Sequence, residues 1–290
     1  MGTSTELHWT GLIPALFFAV AAAASVQSPG SLTPAIPLDA RTAIVDAFKS
    51  HPLVALGETH GHREGEAFLL DLISDARFPG VASDIVLEGG ISTHQPVVDR
   101  FVAGEHVVAE SLQRVWRETP STVVKVIQRV RELNATLPKP RQLRVLLGEP
   151  PIDRDRADPG SDRNRFAARV IEREVLGRKR RALLNYGSGH FVRRTTSSSL
   201  VTLLERNPRV KVLNIWTNVT SLGPIQEDVD SWPVPSLAFV RDTPLGLSNF
   251  ASYFPPTVFD IPSDLRAPMQ DQFDAVLYLG PTTTWTFQSR

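Results

Sequence analysis

The chain has 290 residues, with 31 Lys and Arg against 31 Asp and Glu, so its formal net charge is zero. No overall basic field is available to hold nucleic acid by counterion release, although a local basic patch is compatible with that balance. Hydrophobic residues at 42% and charged residues at 21% describe a globular chain long enough to bury one large core or two small ones. Cysteine is absent, which excludes disulfide scaffolds, thiolate metal sites, iron–sulfur clusters and a cysteine nucleophile.

Residues 1–24 read as a signal peptide. Leu12 to Ala24 is a continuous apolar run, too short to span a bilayer comfortably, and Ala22-Ala23-Ala24 before Ser25 fits a small-residue cleavage site. Against that pattern, the segment ahead of it holds Glu6 and no Lys or Arg. The expectation is an exported protein, periplasmic or secreted, with no transmembrane segment after cleavage. Lacking Cys, it has no anchor of the bacterial lipoprotein type. Residues 25–38 form a linker rich in Ser and Pro, and residues 39–290 a single domain.

Within that domain strands alternate with helices. Asp39 or Arg41 opens an amphipathic stretch, and Leu53 to Leu56 is a short apolar strand. His62 to Ser74 comes next as a helix with Ala67, Leu70 and Ile73 at helical spacing, and Asp84 to Leu87 is the next strand. Ser121 caps a helix whose stripe is Val123, Ile127, Val130 and Leu133. Leu143 to Leu147, a helix over Asp162 to Leu176, Ala182 to Tyr186, a Ser-capped helix over Ser197 to Arg206 and Val210 to Trp216 complete the alternation. Strands apolar on both faces between helices predict a three-layer α/β/α fold with a mainly parallel sheet. Beyond Asn218 repeated prolines leave only Ser236 to Val240 and Ala275 to Leu279 as strands, within a loop-rich cover.

The chemistry lies at the C-terminal ends of the strands. The first runs into Gly57-Glu58-Thr59-His60-Gly61-His62, the second into Glu88-Gly89-Gly90, the third into Gly148-Glu149, and the fourth into Gly187-Ser188-Gly189-His190. A parallel sheet gathers these ends along one edge, where open α/β folds place their ligand crevice. Glu58, His60, Glu88 and His190 are the candidate catalytic residues. Glu58 and His60 lie two apart, so extended backbone aims both to one side. Carboxylates and imidazoles so gathered can deprotonate a water or bind a divalent metal. His62, Arg63, Glu149 and Tyr186 are candidate substrate-binding residues, and Glu88 has an alternative as a structural acid paired to Arg63 or another base. Ser188 with His190 is a poor triad, because residues two apart around a glycine turn rarely reach its geometry. His8, His51, His94 and His106 fit no spacing and are expected at the surface. Phosphate-loop, nucleophile-elbow, zincin and dinucleotide motifs are absent.

The strings LGETHG, LEGG and NYGSGHFVR, with FDAVLYLG near the end, together resemble the superfamily joining ChaN-like haem-binding proteins, Tiki-type proteases and erythromycin esterases. The first and third are similar to the motifs of the ChaN-like branch. The resemblance implies Glu58, His60, Glu88 and His190 as the site, with His60 and His190 as the motif histidines. The single residue between Glu58 and His60 departs from the esterase spacing, so macrolide hydrolysis is not implied. The leading expectation is a hydrolase of an ester or amide bond acting on a small molecule or peptide. In it His60 is the base on water, Glu58 and Glu88 orient the water or hold a metal, and His190 polarises or protonates the substrate. A metal would be held by Glu58, His60 and His190. The alternative is haem or iron binding, with Tyr186, His60 and His190 as ligands and Phe191 and Trp216 packed on the macrocycle. A third reading is an inert scaffold.

Overall fold

The computed structural model describes residues 1–2, 32–151, 160–195, 198–218, 229–253 and 267–281. The expected signal peptide, apart from Met1 and Gly2, and residues 25–31 of the linker lie outside the described residues. Leu32–Arg290 forms a unit separate from Met1–Ser31. Among the described residues no helix is long and apolar enough to cross a membrane.

One sheet organises the larger unit. Its strands are β1 (Leu38–Asp39), β2 (Leu53–Glu58), β3 (Asp84–Ile91), β4 (Arg144–Glu149), β5 (Ala182–Gly187), β6 (Val212–Asn218), β7 (Ser236–Phe239) and β8 (Ala275–Tyr278). They lie in the order β1-β7-β8-β6-β2-β5-β3-β4. From β8 to β4 every pairing is parallel, and β7 runs antiparallel to both β8 and β1. The sequence announced β7 as a strand but carried nothing about its direction.

Alternation along each strand builds two cores. Val54, Leu56, Ile85, Leu87, Leu213 and Ile215 face one side, under α1 (Ala40–Ala47), α2 (Arg63–Ser74), α3 (Phe78–Val81), α4 (Gln95–Val102), α5 (Ala109–Glu118) and α6 (Ser121–Thr136). Leu53, Ala55, Val86, Leu184, Trp216 and Val276 face the other, under α7 (Gly160–Glu174) and α8 (Leu200–Leu204). The three-layer α/β/α arrangement with a mostly parallel sheet results from this double burial.

The strands run past their apolar letters. β2 continues through Gly57 and Glu58, which pair with Tyr186 and Gly187 of β5. A side chain at Gly57 would lie 2.8 Å from Ser188 Oγ, so glycine is what lets the two strands keep pairing there. Helix boundaries shift as well. The buried stripe of α2 is Phe68, Leu69, Leu72 and Ile73, in place of the expected Ala67–Leu70–Ile73 line. Pro120, in place of Ser121, occupies the N-cap of α6, and α8 is capped by Ser199, whose Oγ accepts from Thr202 N. α4 buries Val98 and Val102 with Val97 and Phe101 packed against the first core, and α5 buries Val115 with Trp116 packed there as well. Both stripes recur at helical spacing, and these two helices stand beyond the elements expected from the sequence. His94, expected at the surface, is buried at the N-cap of α4 and lies 2.7 Å from Oε2 of Glu118, the last residue of α5. A side chain brought inward by a helix cap that propensity does not foresee needs such a partner.

Candidate functional site

Glu58 ends β2, and the chain turns over residues 59–62 before α2 begins. His62 N donates to Thr59 O at 3.1 Å, with Gly61 at φ 81. That left-handed corner is where glycine is favoured, and it leaves His60 at the tip. His60 Nδ1 is 2.9 Å from Glu58 Oε1, and its side chain stays 59% exposed. The hydrogen bond from Glu58 raises the His60 pKa above its ordinary value, against an opposing effect of burial. A carboxylate on Nδ1 fixes the tautomer so that Nε2 becomes the basic nitrogen. Nε2 lies 3.8 Å from Glu88 Oε1.

Glu88, in β3, is 8% exposed and heavily engaged. Its Oε2 accepts from Gly187 N at 2.6 Å, and its Oε1 accepts from Arg163 Nη2 at 2.8 Å and from His190 Nε2 at 3.1 Å. Burial alone would raise its pKa. The hydrogen bond and charge of His190, with the Gly187 N–H, hold the carboxyl far below the usual range instead. His190 Nδ1 lies 2.5 Å from Asn164 Oδ1, and Asn164 Nδ2 donates to Ser198 O at 3.1 Å, which orients the amide. Both ring nitrogens of His190 thus face side-chain oxygens, Asn164 Oδ1 on one side and Glu88 Oε1 on the other, which fixes the ring's orientation. Arg163 completes the group with a two-pronged contact to Glu149, Nε to Oε2 at 2.6 Å and Nη2 to Oε1 at 2.8 Å. The Glu149 hydrogen bond, outweighing burial, raises the Arg163 pKa further.

The sheet edge therefore brings Glu58, His60, Glu88, Glu149 and His190 together, with Arg163 and Asn164 of α7 locking them. The partner of the Glu88 acid is Arg163 rather than Arg63, which is exposed in the first turn of α2. Arg163 and Asn164 carry no motif. The only sequence signal for them was the surplus of carboxylates at the strand ends, which demanded a cation. His62 is buried as the α2 N-cap, with Nε2 3.1 Å from Glu64 Oε2, and burial lowers its pKa. Tyr186 is turned into the interior. Its hydroxyl has no hydrogen-bond partner among the described residues and occupies the space a side chain at Gly148 would need. Ser188 Oγ donates to Glu58 O at 3.2 Å and is not directed at His190.

Among the described residues, Glu58, His60 and Glu88 form a group whose ligand atoms lie within 4.8 Å of one another. His190, expected as the third ligand, is excluded by its bonds to Asn164 and Glu88. The donor set is poorly suited to a cation: Glu88 already accepts three hydrogen bonds, and the Arg163 guanidinium stands 2.8 Å from the same oxygen. Haem ligation by the expected residues fits no better. The Tyr186 hydroxyl is enclosed, and Phe191 and Trp216 belong to the second core at 0% and 2% exposure.

No family model and no curated protein matches the chain. Similarity lies in solved structures. A protein from Bacillus cereus has a TM-score of 0.55 at 12% identity, over 86% of this chain and 95% of that one. The type III effector HopBA1 has a TM-score of 0.44 at 13% identity, over 67% and 90%. ChaN of Campylobacter jejuni, described with cofacial haem binding, has a TM-score of 0.40 at 12% identity, over 62% and 86%. The Bacillus cereus likeness concerns the fold alone.

Proposed function

We propose that the chain is a hydrolase of an ester or amide bond that works without a metal, with His60 as its general base. One observation carries this reading: the Glu58 carboxylate sits on Nδ1 at 2.9 Å while the half-exposed ring leaves Nε2 without an acceptor within hydrogen-bond distance among the described residues. In the reaction, Nε2 takes a proton from water as the water oxygen bonds to the substrate carbonyl carbon. Glu58 stabilises the imidazolium that forms. The carbon–oxygen or carbon–nitrogen bond then breaks, and the His60 proton passes to the departing alkoxide or amine, giving acid and alcohol or acid and amine. Arg163, held in place by Glu88 and Glu149, supplies positive field for the oxyanion. His190 acts in this scheme by orienting Glu88, with no proton transfer assigned to it.

The test uses nitrophenyl esters and peptide anilides with the full chain before and after exhaustive chelation. Turnover is expected to survive chelation and to fall about 100-fold or more in His60→Ala, with a comparable loss in Glu58→Gln. Turnover should also fall with decreasing pH as His60 becomes protonated, because only the neutral ring accepts a proton. Activity that vanishes on chelation and returns with zinc would replace this reading with a metal-dependent one. No turnover of any substrate by the unaltered chain would remove the hydrolase reading.

A further inference from the structure

The opposite edge of the sheet, where the parallel strands begin, carries a feature the hydrolytic site does not use. Pro52, Ser83 and Arg181 immediately precede β2, β3 and β5, and with Pro79, Lys179 and Arg180 they line a groove of about 480 Å³. A six-residue strand separates the two edges, so the groove lies about 20 Å from Glu58 and His60.

The charge on its wall is neutralised only in part. Asp84, fully buried, is met by Arg180 Nε and by Arg144 Nε, each at 2.7 Å, and Arg144 also reaches Glu174 at 3.6 Å, so both guanidiniums are paired. Arg178 is paired to Glu174 at 2.9 Å. Lys179 and Arg181 are exposed and have no ion-pair partner among the described residues. Their common placement depends on a turn. Lys179 has φ 54, a left-handed conformation usual for Gly or Asn, and Lys179 N to Leu176 O and Arg180 N to Val175 O, both 2.9 Å, hold it. That turn brings three consecutive cationic residues onto one groove wall. A straight strand would send neighbours to opposite faces, and a helix would spread them by about 100° each.

We propose that this groove binds a phosphate-type anion, with Lys179 and Arg181 supplying the two unneutralised charges and Arg180 held ready beside them. Two adjacent cations without an ion-pair partner among the described residues match a multiply charged phosphate group better than a single carboxylate, and Pro52 and Pro79 give the groove rigid walls. The anion lies at the far edge from His60, so it anchors the molecule and takes no part at the reacting atoms.

Inorganic pyrophosphate titrated calorimetrically into the full chain tests the free anion. Sedimentation with vesicles of equimolar phosphatidylglycerol and phosphatidylcholine, against phosphatidylcholine alone, tests the same chemistry on a headgroup. Lys179→Asn keeps the left-handed turn while removing the charge, and Arg181→Gln removes the second. Each is expected to weaken binding about fivefold, and the pair about 25-fold, with an unchanged melting temperature and unchanged ester turnover. Pyrophosphate binding without vesicle binding assigns a free phosphate ligand, and vesicle binding displaced by pyrophosphate assigns a headgroup. Either result supports the groove. Absence of both, equal binding by the double variant, or capture of single-stranded RNA that pyrophosphate does not displace would overturn it.

Discussion

Two acidic and basic neighbours 3.8 Å apart, Glu88 and His60, are under opposite demands. Glu88 is enclosed and answers Arg163, His190 and Gly187, so Glu88→Gln removes the charge that all three share at the edge. That loss is expected to cost about 3 kcal/mol at neutral pH, or a fall in melting temperature of about 6–12 °C. The sign with pH comes from its lowered pKa. The folded carboxyl titrates below its ordinary value of 4.5, so its contribution is complete above that value and disappears as pH falls toward the folded one. His60 runs the other way. Its raised pKa gives a contribution present below its ordinary value of 6.5 and lost as pH rises through the folded value. Thermal unfolding of the unaltered chain and Glu88→Gln from pH 3 to pH 8 checks this. Equal melting temperatures at pH 7 would show that Glu88 does not hold the edge together.

At the scale of elements, α6 shows what a hydrophobic stripe conveys and what it omits. Val123, Ile127 and Val130 were legible as one buried face, yet the same face buries Asn134. Asn134 Nδ2 donates to Val102 O at 3.0 Å and Leu143 O at 2.9 Å, and its Oδ1 accepts from Leu143 N at 2.8 Å. It thereby ties the end of α4 and the approach to β4 to α6, satisfying three backbone groups that burial would otherwise strand. Asn134→Ala is expected to lose about 2–4 kcal/mol, read as the shift in urea midpoint at unchanged slope. A loss below about 0.5 kcal/mol would mean that water replaces the side chain there. No helical propensity rule announces such an Asn, because its value depends on two segments that are separate in sequence.

For the whole molecule, the two cores are one cooperative structure because the sheet belongs to both. β2 sends Val54 and Leu56 to one and Leu53 and Ala55 to the other, so neither core can open without exposing the strand that covers its neighbour. Trp116 packs against the first core and Trp216 lies in the second. Fluorescence of single-tryptophan variants retaining one or the other should therefore report coincident thermal transitions, with calorimetric and van't Hoff enthalpies equal. Separate midpoints for the two tryptophans would show that the layers unfold independently. The same scale shows how a chain of zero net charge separates charged groups between its two sheet edges. Glu58, Glu88 and Glu149 stand at one edge of the sheet and Lys179, Arg180 and Arg181 at the other.

What the sequence determined by itself was whatever short-range geometry controls. The order of strands and helices, the glycine turns after the strands, and the approach of Glu58 to His60 all arise within a few residues, where period and chain direction leave little freedom. The tertiary structure alone decided the rest. Arg163 meets Glu88 across 75 residues and His190 meets it across 102, and those meetings require β3 and β5 to be neighbours with α7 crossing their ends. The direction of β7, the burial of His94 and the inward turn of Tyr186 have the same origin. Each is set by which surfaces the packed layers leave open, and a linear pattern of apolar residues says nothing of contacts between distant segments.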